Sequence, residues 1–366
     1  MLSMYKVMFT FIFTAILSFI FTELVRYLSF KVGAVDEPNS RRVNKVVMPS
    51  SGGFAIYAAY FISILFILPL NQEITIPIFL GATVIIITGL IDDIKGISPG
   101  FKVTGIVLAT LIVYFLADVQ VTSIGIPFIG LVDLGYWSLP MTLLWVTAIT
   151  NALNLIDGLD GLATGVSSIS LVTIGIIAFF FLTSNNIDVT IMVFTLVAAC
   201  LGFLPANYFP AKIYLGDTGA LFLGYMIAVF SLFNLKNVTF ISLMVPLVIL
   251  IIPIADTSFA IIRRTLNKQS ISTADNKHIH HQLMNYGFTH KQSVLLLYII
   301  SFIFSMVALL YPLANDIGLI LLTLGIIIFL QFLSELLGLI NNDNKPLITF
   351  FKKILNLYNK DYKDKK

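Results

Sequence analysis

Long apolar stretches alternate with short polar joints along most of this 366-residue chain. About 20 apolar residues cross the hydrocarbon core of a bilayer as a helix. By that rule the pattern predicts eleven transmembrane helices, near 7–28, 52–70, 74–91, 101–117, 136–153, 161–183, 187–207, 215–234, 238–262, 293–313 and 317–338. The first is longer than a signal-peptide core and lacks a basic start, so it is expected to be retained. Between the fourth and fifth, 118–135 carries Gly125, Pro127 and Gly130 among β-branched residues, which predicts a small hairpin. Helix nine contains Pro246 and Pro253, each lacking a backbone donor, and is expected to be kinked or broken. No internal repeat or soluble domain interrupts the pattern. The expectation is an all-α polytopic membrane protein with one transmembrane domain over 1–338 and a basic tail over 339–366. Within the tail, Leu347 to Tyr358 mixes bulky apolar residues with Lys352 and Lys353, which fits either a segment lying on anionic lipid or a frayed end.

Composition sharpens this picture. Hydrophobic residues make up 58% of the chain and charged residues 11%, where a soluble domain carries about 25% charged residues. The distribution of Lys and Arg then sets orientation. With the N-terminus outside and the C-terminus cytoplasmic, 20 of the 22 basic residues fall on the inner side, leaving Lys6 and Lys236 outside. A net charge of +3 adds little, and no nucleic-acid partner is expected. The single cysteine, Cys200, lies inside a predicted helix and has no intramolecular partner.

Charge is costly near a bilayer, so the acidic groups at helix ends need a reason. All the main clusters fall on the predicted cytoplasmic side. Asp92 and Asp93 end helix three, and two adjacent carboxylates repel unless a cation is near. They suit metal approach or general-base work, or they simply stop the helix. Asn151, Asn154, Asp157 and Asp160 lie in NALNLIDGLDG, where Asp-Gly steps mark a turn and Gly158 and Gly161 permit close backbone approach. That segment suits recognition of polar base and sugar groups, or support of a cation. Its spacing is not that of an EF-hand. Asp217 precedes helix eight, where a carboxylate either caps the helix or holds a hard cation. Tyr214, three residues earlier, is placed to stack on a nucleobase or to anchor at the interface.

His278, His280 and His281 follow Arg263 and Arg264 in a long basic loop. No cysteine accompanies them and no HExxH spacing occurs, so phosphate binding or proton handling is favoured over zinc. His290 stands apart and is expected at the surface. Asp256 lies within helix nine, so it is expected to face the bundle interior, with Arg263 or Arg264 within reach if the helix breaks near Pro253. Glu23 and Glu335 are expected as interfacial or interhelical polar contacts.

Five blocks, DEPNSRRVNKVVMPSSGG, GLIDDIKG, NALNLIDGLDGLATG, YLGDTGALFLG and DNKHIHHQL, occur in this order between Asp36 and Tyr298. Together they resemble the polyprenyl-phosphate N-acetylhexosamine-1-phosphate transferase family, which includes enzymes that start teichoic-acid linkage units and O-antigen chains, and phospho-muramoyl-pentapeptide transferase. The resemblance implies transfer of a sugar-1-phosphate from a UDP-sugar to undecaprenyl phosphate in a bacterial cell membrane, with release of UMP. It implies Mg²⁺, with Mn²⁺ as substitute, and suggests a homodimer. By block, Asp217 resembles the metal ligand, Asp92 the residue that deprotonates the lipid phosphate, and Asp93 its partner. Asn154, Asp157 and Asp160 match the uridine-side loop, Tyr214 the aromatic over uracil, and Lys45 a basic residue near the nucleotide. His278, His280 and His281 match the motif around the diphosphate, with Arg263 and Arg264 beside it. The HxHH form resembles the N-acetylglucosamine branch more than the muramoyl-pentapeptide branch. Asn44 departs from the histidine that many members of this branch carry. The competing class, a secondary transporter or lipid flippase, predicts midplane charges and inverted repeats.

Overall fold

The computed structural model describes residues 4–37, 46–68, 70–126, 128–181, 187–233, 246–266, 268, 278–339, 345–350 and 353. Lys45 and most of the tail lie outside the described residues. The expected helices are found as α1 (Met4–Val32), α2 (Gly53–Ile62, continued by a π-helical turn over Ser63–Ile67), α3 (Gln72–Lys95), α4 (Pro99–Leu116), α5 (Ser138–Ile156), α6 (Leu162–Phe181), α7 (Ile187–Asn207), α8 (Gly216–Phe233), α9 (Ile251–Leu266), α10 (Ile279–Asn285), α11 (His290–Leu310) and α12 (Asp316–Leu337). Among the described residues, nine helical segments are long and apolar enough to span a bilayer. Of the eleven expected, the second is a shorter apolar helix over Gly53–Ile67. Of the ninth, 238–245 lie outside the described residues, and a helical stretch over 246–249 gives way to a turn at Leu250 before α9 resumes. Pro253 sits in the first turn of α9, where its missing donor costs least. The protein is an all-α polytopic membrane protein.

Local signals mark the helix starts. Asn71 caps α3 by accepting from Glu73 N, and Ser98 opens α4 with Pro99 in its first turn. Thr289 and Gln292 form a reciprocal capping box for α11. The expected hairpin is present as β3 (Ser123–Ile126) paired antiparallel with β4 (Gly130–Asp133). A second short pair, β1 (Val35–Asp36) and β2 (Met48–Pro49), joins α1 to α2.

Helix α8 forms the axis of the bundle. It is apolar on all sides and buried along almost its whole length, packing against α2, α3, α5 and α6. Small residues let these backbones meet: a Cβ on Gly53 would lie 2.0 Å from Gly219 Cα, and one on Gly89 would lie 2.4 Å from Thr218 Cα. Helix α1 turns its hydroxyls inward, with Thr14 Oγ1 donating to Ser63 Oγ at 2.7 Å and Ser18 Oγ to the Ala199 carbonyl at 2.7 Å. Most of its Phe, Ile and Leu side chains face outward, as expected where lipid rather than water surrounds the helix, while Phe11 and Phe21 pack against the core. The end of α3, the start of α4, the end of α5 and the start of α8 meet at one end of the bundle, while the β3–β4 hairpin joins α4 to α5 at the other.

Candidate active site

A cavity of about 490 Å³ opens at the first of these ends, lined by Asp92, Asn154, Asp157, Asp160, Tyr214, Asp217, His280, His281 and His290 among others. Its volume lies within the range of small-molecule sites. All five sequence blocks contribute to its lining, although Asp36 and His281 lie 245 positions apart in the chain.

The two adjacent aspartates have different surroundings. Asp93 accepts from Asp217 N at 2.9 Å and Thr218 N at 3.2 Å, and from the hydroxyls of Thr218 (2.6 Å), Ser51 (2.8 Å) and Ser50 (3.2 Å). Asp93 therefore caps α8 from another helix and pins the 50–51 loop to it. Because Asp93 supplies the cap, the Asp217 carboxylate is free to face the cavity. Asp92 turns elsewhere: Oδ1 accepts from Ile97 N at 2.8 Å, and Oδ2 pairs with Lys102 Nζ.

Lys102 is the residue that motif reading missed. Its ammonium bridges Asp92 and Asp217, lying 3.0 Å from Asp217 Oδ1. Asn154 Nδ2 donates to the same oxygen. A signal was available in the chain, since Lys102 falls in the first turn of α4, where the helix dipole disfavours a cation.

The loop after α5 also lines the cavity. Asp160 Oδ2 accepts from Ala211 N at 3.0 Å, tying this loop to the segment that carries Tyr214. Asn207 supports the same segment, donating to the Ile213 carbonyl and accepting from Thr164. Asp157 lies in the loop between α5 and α6, where burial and the negative charges of Asp217, Asp93 and Asp160 push its carboxyl well above the usual range. Asn151 instead bonds back to the Thr147 carbonyl of its own helix.

The histidines divide. His280 and His281 face the cavity with ring centroids 4.2 Å apart. A Cβ on Gly158 would lie 2.6 Å from His280 Nε2, so only glycine allows the loop to approach so closely. His278 does not line the cavity; its Nδ1 lies 3.0 Å from Asp256 Oδ2. Its ring centroid lies 5.8 Å from that of the cavity-lining His280. His290 takes up a position that was not expected: it is drawn off the surface, with Nε2 accepting from Asp160 N at 3.0 Å and its ring 4.5 Å from that of Phe209. Arg263 is also relocated. It is buried, with its guanidinium on the Leu339 carbonyl, and neither it nor Arg264 lines the cavity. The expected approach of an arginine to Asp256 is replaced by the His278 and Ile279 contacts.

Burial pushes the His280 imidazole down to about 3, with the nearby His281, His278 and His290 adding to the effect. The unfolded chain therefore takes up a proton as pH falls below about 6.5, while folded His280 does not until about 3. Stability is lost as pH falls through that window, by about 2 kcal/mol between pH 7 and 5. In His280→Gln the loss of melting temperature over this interval is expected to be smaller than in the unsubstituted protein, read by thermal unfolding in detergent. Equal losses would refute this assignment.

Among the described residues, no three carboxylate or histidine side chains converge as a ready-made metal cage. Mg²⁺ needs none, since it is held by one or two carboxylates together with substrate phosphates. Asp217 and Asp92 offer hard oxygens around one point, and Lys102 places a positive charge there. The donor set fits a hard cation shared with an anionic ligand.

Fold and cavity together define a polytopic membrane protein with a cavity lined by carboxylates and histidines at one end of its helix bundle. Comparison with known proteins makes the class specific. The profile described as glycosyl transferase family 4 matches residues 75–234. The chain is 40% identical over 354 residues to the "probable undecaprenyl-phosphate N-acetylglucosaminyl 1-phosphate transferase" of Bacillus subtilis (strain 168), covering 96% of this chain and 98% of that protein. It is 32% identical to a decaprenyl-phosphate N-acetylglucosaminephosphotransferase of Mycolicibacterium smegmatis, over 78% of this chain and 77% of that one. A phospho-N-acetylmuramoyl-pentapeptide-transferase of Chloroherpeton thalassium is 31% identical, over 79% and 87%. The chain belongs to glycosyl transferase family 4, among the polyprenyl-phosphate N-acetylhexosamine-1-phosphate transferases.

Proposed function

We propose that the protein transfers N-acetylglucosamine-1-phosphate from UDP-N-acetylglucosamine to undecaprenyl phosphate, releasing UMP, as the first step of a cell-envelope glycopolymer such as wall teichoic acid. The observation that carries this reading is the Asp92–Lys102–Asp217 cluster at a cavity that His280 and His281 also line. The 40% identity over nearly the full chain supports the choice of sugar. In this reading the site faces the cytoplasm, as the distribution of basic residues suggests.

In the reaction, an oxygen of the lipid phosphate attacks the β-phosphorus of the donor. The bond from that phosphorus to the bridging oxygen breaks, and UMP leaves. One phosphoanhydride replaces another, so no ATP is required and catalysis rests on positioning and charge neutralisation. Asp217, with Asp92 beside it, would hold Mg²⁺, which when bound neutralises the diphosphate. Lys102 contributes a fixed positive charge between the two carboxylates. Asp92 would take the proton of the incoming phosphate, while Asp93 keeps the α8 start in place. His280 and His281 would face the donor diphosphate from the cavity wall, and His280 would gain basicity with a phosphate beside it. Asn154 and Asp157 line the uridine side, Asp160 holds that loop to Ala211, and Tyr214 is placed to stack on uracil. Lys45 keeps its role near the nucleotide as part of the proposal.

The test is UMP release by purified protein with undecaprenyl phosphate and Mg²⁺, comparing UDP-N-acetylglucosamine with UDP-muramoyl-pentapeptide. Release with the first donor alone is expected. Release with the second alone would overturn the sugar assignment and retain the family chemistry.

A further inference from the structure

Asp256 is a carboxylate only 2% exposed, set in the middle of α9 and absent from the cavity wall. An ionisable group at such a place must be compensated. Both of its oxygens are used at the start of α10. Oδ1 accepts from Ile279 N at 2.8 Å, and Oδ2 lies 3.0 Å from His278 Nδ1.

These two contacts act on the start of α10. His278 is the N-cap residue of α10, and its own side chain makes no cap hydrogen bond. A helix of seven residues is too short to hold itself, so the orientation of α10 is set by what its ends and faces touch. Its Ile279 and Leu283 face an apolar cavity of about 430 Å³ between α9, α11 and α12. Its His280 and His281 face the polar cavity. The Asp256 carboxylate supplies the missing cap and complements the positive end of α10. As an acceptor it also requires the proton of neutral His278 to sit on Nδ1. The His278 ring in turn lies parallel to that of His280, with an interplanar angle of 1° and centroids 5.8 Å apart.

We propose that Asp256 is a positioning residue for the transfer reaction, acting through His278 and the α10 cap to aim His280 and His281 at the diphosphate. This rests on the transferase reading above. It makes His278 a support that does not itself touch the substrate, and it gives a reason for a charge in the interior of α9.

The test is a double-mutant cycle on UMP release from UDP-N-acetylglucosamine, using Asp256→Asn, His278→Ala and the pair. Asparagine keeps an oxygen for Ile279 N but presents an amide donor to His278 Nδ1, which forces the other tautomer. The expected result for Asp256→Asn is a kcat lowered about ten- to hundredfold, with KM for the donor little changed and the melting temperature close to that of the parent. In the His278→Ala background the same substitution is expected to add almost nothing, because its route to the site is already cut. Full turnover in Asp256→Asn, or independent losses that simply multiply, would overturn the proposal. Should Asp256→Asn not fold, His278→Asn leaves Asp256 to cap Ile279; a similar fall in kcat is expected there, and unchanged turnover would refute the idea. A parent protein that releases no UMP would instead strike at the transferase reading, so the two failures are distinct.

Discussion

Asp217→Asn is expected to lower UMP release about a thousandfold, equivalent to ~4 kcal/mol of transition-state stabilisation. The substitution keeps shape and removes charge at the point where Lys102 Nζ and Asn154 Nδ2 converge on Oδ1. It leaves the fold intact, because α8 is capped by Asp93 through backbone and hydroxyl groups that asparagine at 217 does not disturb. The melting temperature should therefore stay near that of the parent while turnover collapses. Binding of Mn²⁺, followed by electron paramagnetic resonance in the presence of the nucleotide donor, should weaken in parallel. Turnover within tenfold of the parent would remove Asp217 from the role of metal holder.

Lys102→Met is the second large effect. The ammonium bridges two carboxylates that otherwise repel, and at 4 Å a pair of unit charges interacts by about 4 kcal/mol at an effective dielectric constant of about 20. Turnover is expected to fall about a hundredfold, since a fixed positive charge on the reacting phosphates is lost. The diagnostic outcome lies in metal binding. Without the competing ammonium, Mn²⁺ should bind the free protein more tightly even as catalysis fails. Lys102→Arg is expected to restore little, because a planar guanidinium cannot occupy the same point between Asp92 and Asp217. Undiminished turnover or weaker Mn²⁺ binding in Lys102→Met would contradict the geometry.

Part of the site was legible because motif letters carry local constraints. The Asp-Gly steps of the segment from Asn151 to Gly161 announced a turn after an apolar helix, and a turn is what separates α5 from α6. The hairpin at 123–133 followed from its glycines and β-branched residues in the same way. Lys102 and His290 were less legible. Each belongs to a helix start whose neighbours in sequence do no evident chemistry, and each gains its place from a partner far along the chain: Asp217 for Lys102, and the Asp160 amide for His290. Arg263 shows the converse. Its proximity to the histidine loop in sequence suggested a phosphate ligand, yet its guanidinium closes on the Leu339 carbonyl.

By itself the sequence determined that the chain is a bundle of membrane-spanning helices, because twenty-residue apolar runs have no other stable solution in a bilayer. It also determined which polar segments gather at one end, since helices of similar length in alternating direction bring every second joint to the same face. Only the tertiary structure decided how work is divided within those segments. Asp92 and Asp93 are adjacent in sequence, but one residue is a rotation of about 100° around a helix, so one carboxylate meets Lys102 and the other meets the α8 amides. His278 and His280 also part, the first as the extended N-cap turned to Asp256 and the second within α10 turned to the cavity. Helix rotation and packing, which no local motif encodes, set these roles.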